Sequence, residues 1–119
     1  MKQTIIEAKR ELTATEKVKI KHLQTIKFDE VVTPDKSIVI RPGMWAVVET
    51  VSDRTGNEYK IYLIEDLKDG SWYSTGSESF WENFKDIELD MDGEEYDLQV
   101  YKMASKNYSG RYFLTCNIK

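Results

Sequence analysis

The last stretch of the chain, residues 98–119, combines cations with flat aromatic rings and contains no Asp or Glu. Its cationic and aromatic side chains are Tyr101, Lys102, Lys106, Tyr108, Arg111, Tyr112, Phe113 and Lys119. Ammonium and guanidinium groups neutralise phosphates, and aromatic rings stack on unpaired bases of any sequence. This combination predicts a contact surface for a single-stranded nucleic acid, and both DNA and RNA satisfy its requirements.

Residues 77–97, which come directly before, have the opposite charge. Their carboxylates are Glu78, Glu82, Asp86, Glu88, Asp90, Asp92, Glu94, Glu95 and Asp97, and Lys85 is their only cation. The net charge of −4 argues against a wholly basic surface of the kind that binds duplex DNA. Charges are screened over about 8 Å in physiological salt, so a positive groove and an acidic surface can coexist on one domain.

Two strands are expected in the C-terminal part, Tyr96 to Met103 and Arg111 to Ile118, joined by a mobile loop. Alternation along them points Leu98, Val100, Tyr112, Leu114, Cys116 and Ile118 inward. Tyr101, Arg111 and Phe113 then lie on the outer face, either as a platform for bases or as cross-strand packing partners. The loop residues Lys102, Lys106, Tyr108 and Arg111 are the best candidates for contact with phosphate.

A second group of candidate ligand contacts lies in the middle of the chain. Along Glu58 to Glu65, alternation places Lys60 and Tyr62 on the face away from the expected core, where they could hold one nucleotide. Trp72 and Tyr73 are neighbours in a strand, so one ring should face the ligand and the other the interior. Trp45 and Trp81 belong to apolar periodic runs and are expected in the core.

These residues must be positioned by a mainly β domain. Thr13 with Glu16 forms a capping-box pattern for a helix ending near Leu23, within an N-terminal arm of residues 1–31 that packs on the domain. Strands are expected at 37–40, 44–52, 58–65 and 72–73, followed by a short helix that begins after Ser77 and buries Phe80, Trp81, Phe84 and Ile87. Three strands, a helix and a hairpin predict an OB-fold-like, five-stranded Greek-key barrel over residues 32–119.

Other classes of function are disfavoured. His22 is the only histidine, and no nucleophile stands beside a base, so no catalytic residue, cofactor or enzyme activity is predicted. The spacing Glu88-x-Asp90-x-Asp92-Gly93 approaches a calcium loop, but its twelfth position is Gln99 instead of Glu, so no metal site is predicted. Cys116, the only cysteine, is expected to be a buried small residue.

No run of eighteen apolar residues and no secretory signal is present, so we expect a cytoplasmic protein with no membrane partner.

The stretch Trp72-Tyr73-Ser74-Thr75-Gly76-Ser77, continuing through Phe80, Phe84 and Ile87, resembles the small single-stranded DNA-binding proteins of bacteriophages and prophages. The resemblance extends over roughly residues 12–118. It includes Pro42 with Trp45-Ala46-Val47-Val48 upstream and Ser105-Lys106 with Gly110-Arg111-Tyr112-Phe113 downstream. It implies an OB-like domain that coats single-stranded DNA in replication or recombination within the bacterial host cytoplasm. It also implies a homodimer without catalysis and with phage or host replication and recombination proteins as partners.

Two other functions fit the same residues. In one, the acidic surface of residues 77–97 binds a basic protein or imitates nucleic acid, as phage-encoded inhibitors do. In the other, the domain binds a small molecule or an oligosaccharide, and Trp72 matters more than Lys106. If the chain binds single-stranded nucleic acid with an affinity that falls as salt rises, the nucleic-acid interpretation holds and both alternatives are excluded.

Overall fold

A computed structural model describes residues 2–119 of the chain. These residues form eight strands and three helices, joined by loops. The strands are β1 (Lys2–Ala8), β2 (Ile26–Lys27), β3 (Ile38–Ile40), β4 (Pro42–Val51), β5 (Glu58–Asp66), β6 (Trp72–Thr75), β7 (Leu98–Ala104) and β8 (Tyr112–Ile118). The helices are α1 (Ala14–Lys21), α2 (Phe28–Val31) and α3 (Glu78–Met91). The mainly β class is confirmed, and so is the order of three strands, a helix and a hairpin from β4 to β8.

The strands divide into two sheets, and the predicted closed barrel is not formed. One sheet has the order β1-β4-β5-β6-β2 and the other the order β3-β7-β8. Closure would need the free edges of β6 and β8 to meet. The edge of β6 instead pairs in parallel with β2, where Ile26 lies opposite Tyr73. The outer edge of β8 is covered by α3, whose Asn83 donates a hydrogen bond from Nδ2 to the carbonyl of Cys116.

The chain passes from one sheet to the other at Arg41, between β3 and β4. Asp66, which is buried, accepts hydrogen bonds from the backbone N–H groups of Arg41 and Lys68 at 3.0 Å each, and so holds this bend against the end of β5. Gly43 lies two residues further on, where an added Cβ would come within 2.6 Å of Cδ2 of Leu67. A larger residue at this position would therefore have to displace the side chains of Leu67 and Glu65.

The main core lies between the two sheets and is built around the aromatic side of α3. The indole of Trp81 stacks on Tyr62 at 4.9 Å between ring centroids and meets Trp45 edge-on at 5.5 Å. Phe84 is fully buried beside Trp81 at 5.1 Å. The predicted start of α3 at Ser77 is confirmed, since the side chain of Ser77 accepts a hydrogen bond from the N–H of Phe80. The helix runs on to Met91 and is longer than predicted.

A second, smaller core covers the other face of the five-stranded sheet. Ile20 of α1 packs there against Ala46, Val48 and Leu63. The predicted helix is confirmed together with its capping box, because Thr13 and Glu16 each bond the other's backbone N–H. The strands β1 and β2 were not predicted, and they make residues 2–27 part of the sheet as well as a cover for it.

A stability test follows from the ion pair that Glu16 forms with Arg10. Hydrogen bonds from the Arg10 guanidinium and the Thr13 backbone lower the pKa of Glu16 from 4.5 to about 2. A carboxyl whose pKa is depressed by folding stabilises the folded state above its unfolded pKa, and this contribution disappears as the pH falls through the folded value. We therefore expect Glu16→Gln to be less stable than the wild type at neutral pH.

Urea unfolding of both proteins as a function of pH measures this effect. The difference should narrow below about pH 4.5 and vanish near pH 2. Glu11→Gln is the control, since Glu11 is an exposed neighbour that forms no ion pair within residues 2–119. A difference that stays constant over this range would contradict the role of the ion pair.

Candidate functional site

The antiparallel strands β7 and β8 project an exposed hairpin, whose residues 103–113 we call the hairpin tip. Met103 lies opposite Phe113, and Ala104 lies opposite Tyr112, at the last paired positions before the loop. The loop is closed by a hydrogen bond of 2.8 Å from the N–H of Ser105 to the carbonyl of Arg111. Gly110, with φ of +79°, adopts the left-handed conformation that the turn requires.

Large apolar and aromatic side chains of the hairpin tip are open to solvent. Their exposed fractions are 45% for Met103, 63% for Tyr108, 52% for Tyr112 and 43% for Phe113. Met103 and Phe113 share the outer face of the sheet, whereas Tyr112 emerges on the other side beyond the end of the core. Alternation predicted Tyr112 to point inward with Leu114 and Cys116, and the register does place it on that face, but it is not buried because the core ends before this part of the hairpin.

The cations of this region are available for a ligand to different degrees. Lys106 and Arg111 are exposed, and the Arg111 guanidinium lies 5.7 Å from the ring centroid of Tyr108. Lys102 instead donates from Nζ to the carbonyl of Asp29 at 3.2 Å, which ties this ammonium to α2. Within residues 2–119, no carboxylate forms an ion pair with Lys102, Lys106 or Arg111.

Beside the hairpin tip, a polar groove runs along the outer face of the three-stranded sheet. It has a volume of about 370 Å³, and we call it the sheet groove. The lining residues that bear on its chemistry are Asp35, Ser37, Gln99, Tyr101, Lys102 and Asn117. Tyr101 is half-buried and lies on the outer face, as the alternation predicted. The sheet groove thus lies on the same face of the hairpin as Met103 and Phe113 of the hairpin tip.

The candidates on β5 are not part of this surface. Tyr62 was predicted to point away from the core, but it is 5% exposed and stacks on Trp81. The prediction failed because β5 is an inner strand with both faces covered, so its two sets of alternating side chains both lie in cores. Lys60 is exposed, but it lies opposite Glu49 in the five-stranded sheet and does not line the sheet groove.

The rings of β6 are also engaged by the protein. Tyr73 stacks on Phe28 at 4.8 Å with an interplanar angle of 10°. Trp72 points to the opposite face and packs against the smaller core below α1. Each ring is partly buried: Tyr73 packs against the main core, whereas Trp72 lines a pocket of about 220 Å³ beside α1. A ligand contact by one ring of the pair stays a prediction. Trp45 and Trp81 lie in the core, as predicted.

The single thiol is unreactive in this position. Burial raises the pKa of Cys116 to about 12, although a hydrogen bond from Asn83 opposes the shift. A thiol that remains protonated at neutral pH is a poor nucleophile and a poor metal ligand. The expectation of a buried, small residue at Cys116 is confirmed.

Residues 2–119 contain no group of three or more His, Cys, Asp or Glu side chains able to hold a metal ion. None of their helices combines the length and apolarity that crossing a bilayer requires. In comparisons with known proteins, no family model, no curated protein and no solved structure matches the chain.

Proposed function

We propose that the chain is a non-catalytic protein that binds single-stranded DNA with low sequence specificity, and that the hairpin tip is its main contact surface. The observation that carries the proposal is that the hairpin tip exposes the rings of Tyr108, Tyr112 and Phe113 together with the unpaired cations Lys106 and Arg111. Apolar rings left in water are costly unless something covers them, and cations beside them favour an anionic ligand with flat groups. Coating of single strands in phage replication or recombination is what the sequence resemblance implies.

The connectivity supports this proposal, because it is compatible with an open relative of the OB-fold. When β3 and β4 are taken as one bent strand, the spatial order is β8-β7-(β3/β4)-β5-β6. This is a Greek-key order, in which the fourth strand returns beside the first. OB-folds bind ligands with the face of strands 2 and 3 and with adjacent loops, including the loop between strands 4 and 5.

The N-terminal segment changes which part of that surface is free. Ile20 of α1 packs on Leu63 of β5, so α1 covers the outer face on which OB-folds hold their ligands. The loop between β7 and β8 is exposed instead, and it carries Lys106, Tyr108 and Arg111. The proposed binding surface is therefore centred on the hairpin. RNA offers the same phosphates and unpaired bases to these groups.

Binding by this surface should combine stacking with counterion release. A base stacked on an aromatic ring contributes about 1–3 kcal/mol. Each phosphate neutralised on a single strand contributes about −0.7 to the slope of log affinity against log salt. Two or three contacts from Lys106, Arg111 and Lys102 therefore give a slope between about −1.4 and −2.1.

Titration of fluorescently labelled oligo(dT) at two salt concentrations tests the proposal. Raising NaCl from about 50 to about 200 mM should weaken binding roughly 7- to 20-fold. Oligo(dA) and oligo(dC) should bind within about tenfold of oligo(dT), because stacking tolerates any base. Absence of binding at low salt, or affinity that is independent of salt, would overturn the proposed function.

A further inference from the structure

The sheet groove contains two amide side chains that face each other across β7 and β8. Gln99 and Asn117 are directly opposite in the register of these strands. Gln99 donates from Nε2 to Oγ of Ser37 at 3.1 Å, and Oδ1 of Asn117 accepts from the N–H of Ile118 at 2.8 Å. Oε1 of Gln99 and Nδ2 of Asn117 have no protein partner within residues 2–119. An acceptor and a donor are thus left open side by side.

An aromatic ring lies next to this pair of amides. Tyr101 follows Gln99 by two residues on the same face of β7, a distance of about 7 Å along the strand. A flat group that lies against the Tyr101 ring can therefore direct its edge toward both amides. The groove volume of about 370 Å³ lies in the range of small-ligand sites.

The charged side chains that line the sheet groove favour an uncharged ligand group over a phosphate. Asp35 lies on its rim and repels anions. Lys102, the cation in the lining, already donates to the carbonyl of Asp29. The free cations Lys106 and Arg111 belong to the hairpin tip instead. Phosphates are therefore drawn toward the tip, and the groove suits the base of a nucleotide.

The position of the sheet groove also fits a strand that begins at the hairpin tip. The pair Met103 and Phe113 and the pair Gln99 and Asn117 lie on the same face, four residues apart along β7. This separation corresponds to about 13 Å of extended strand. A single strand whose bases stack on Phe113 can continue along this face to Tyr101.

We propose that the sheet groove is a nucleobase subsite, in which one base of the bound strand stacks on Tyr101 and hydrogen-bonds through its edge to Gln99 and Asn117. This inference rests on the proposed function and adds a hydrogen-bonded base to the stacking and phosphate contacts of the hairpin tip. The pairing edge of a base carries hydrogen-bond donors and acceptors that single-stranded binding proteins can contact. The subsite therefore requires a base with a free edge and tolerates different bases.

The test compares oligo(dT) with an oligonucleotide of the same length in which every thymine is methylated at N3. Methylation removes the edge donor and keeps the ring and the phosphates. The wild type should bind the methylated strand about tenfold more weakly, the loss expected for one or two hydrogen bonds.

The groove variant carries Gln99→Leu and Asn117→Leu. It should bind oligo(dT) more weakly than the wild type by a similar factor, and it should bind the two strands equally, with an unchanged slope of log affinity against log salt. Gln24→Leu with Asn57→Leu, at exposed amides outside the groove, should behave like the wild type.

The remaining outcomes of this test separate a failure of the subsite from a failure of the proposed function. Equal wild-type affinity for both strands, or a preference that persists in the groove variant, would overturn the subsite while leaving the hairpin tip as the DNA-binding surface. Absence of binding to either strand would overturn the proposed function itself. Binding of a neutral hexasaccharide that the groove variant loses would assign the groove to sugars instead. Should the leucine variant be unfolded by circular dichroism, Gln99→Met replaces it, because this change removes the acceptor available to the N3–H at similar side-chain length and is expected to abolish discrimination.

Discussion

Replacing both Lys106 and Arg111 by glutamate should lower the affinity for oligo(dT) by at least about 100-fold at low salt. The two side chains are the exposed, unpaired cations of the hairpin tip, and Arg111 also lies over the ring of Tyr108. The substitution removes two phosphate contacts and places two repelling charges among the rings. The slope of log affinity against log salt should fall in magnitude by about 1.4.

A matched variant separates this effect from the change in overall charge. Lys17→Glu with Lys19→Glu alters the net charge by the same amount on exposed positions of α1, on the far side of the five-stranded sheet. This control should bind within about threefold of the wild type, since charges beyond a screening length of about 8 Å contribute little. Fluorescence anisotropy measures both variants. Equal losses in the two would show that binding follows net charge and that the hairpin tip is not the site.

The Phe84→Ala variant should lose about 3–5 kcal/mol of unfolding free energy. Phe84 is fully buried between the two sheets, with ring centroids 5.1 Å from Trp81 and 6.4 Å from Phe80. Truncation leaves a cavity in the main core, at the contact that holds α3 against both sheets. Because domains of this size are stable by about 5–15 kcal/mol, the variant should be partly unfolded in mild denaturant.

Urea unfolding followed by tryptophan fluorescence measures this loss. Leu89→Ala is the matched control, because Leu89 lies on the same helix and is 78% exposed. That variant should stay within about 0.5 kcal/mol of the wild type. A loss below about 1 kcal/mol for Phe84→Ala would contradict the position of α3 between the sheets.

Local patterns in the sequence predicted the elements that are held by local interactions. The serine cap and the spacing of Phe80, Trp81 and Phe84 place α3, and the capping box places α1. The outer position of Tyr101 and Phe113 follows from alternation alone, because one face of the three-stranded sheet is open. These features depend on residues close together in the chain.

Features that depend on distant contacts were not predictable in the same way. The face of β5 that carries Tyr62 is buried because α3 packs on it, while α1 covers the face that carries Leu63. The alternation of side chains along a strand assigns each residue to one of two faces. It does not show whether other elements cover one of these faces or both. The strand β2 has only two residues, and its pairing with β6 occupies one of the two edges that would have to meet in the predicted barrel. The exposure of Tyr112 likewise depends on where the core ends and not on its neighbours.

Photo-crosslinking of the full chain to oligo(dT) containing 5-iododeoxyuridine, with the crosslinked peptides identified by mass spectrometry, tests the central claim most directly. Aromatic side chains in contact with a base are the expected targets of such a probe. The account predicts crosslinks within residues 98–113, at Tyr101, Tyr108, Tyr112 or Phe113, and their loss when Lys106 and Arg111 are replaced by glutamate. Crosslinks confined to Trp72 or to the acidic residues 77–97, or crosslinks unaffected by that substitution, would contradict it.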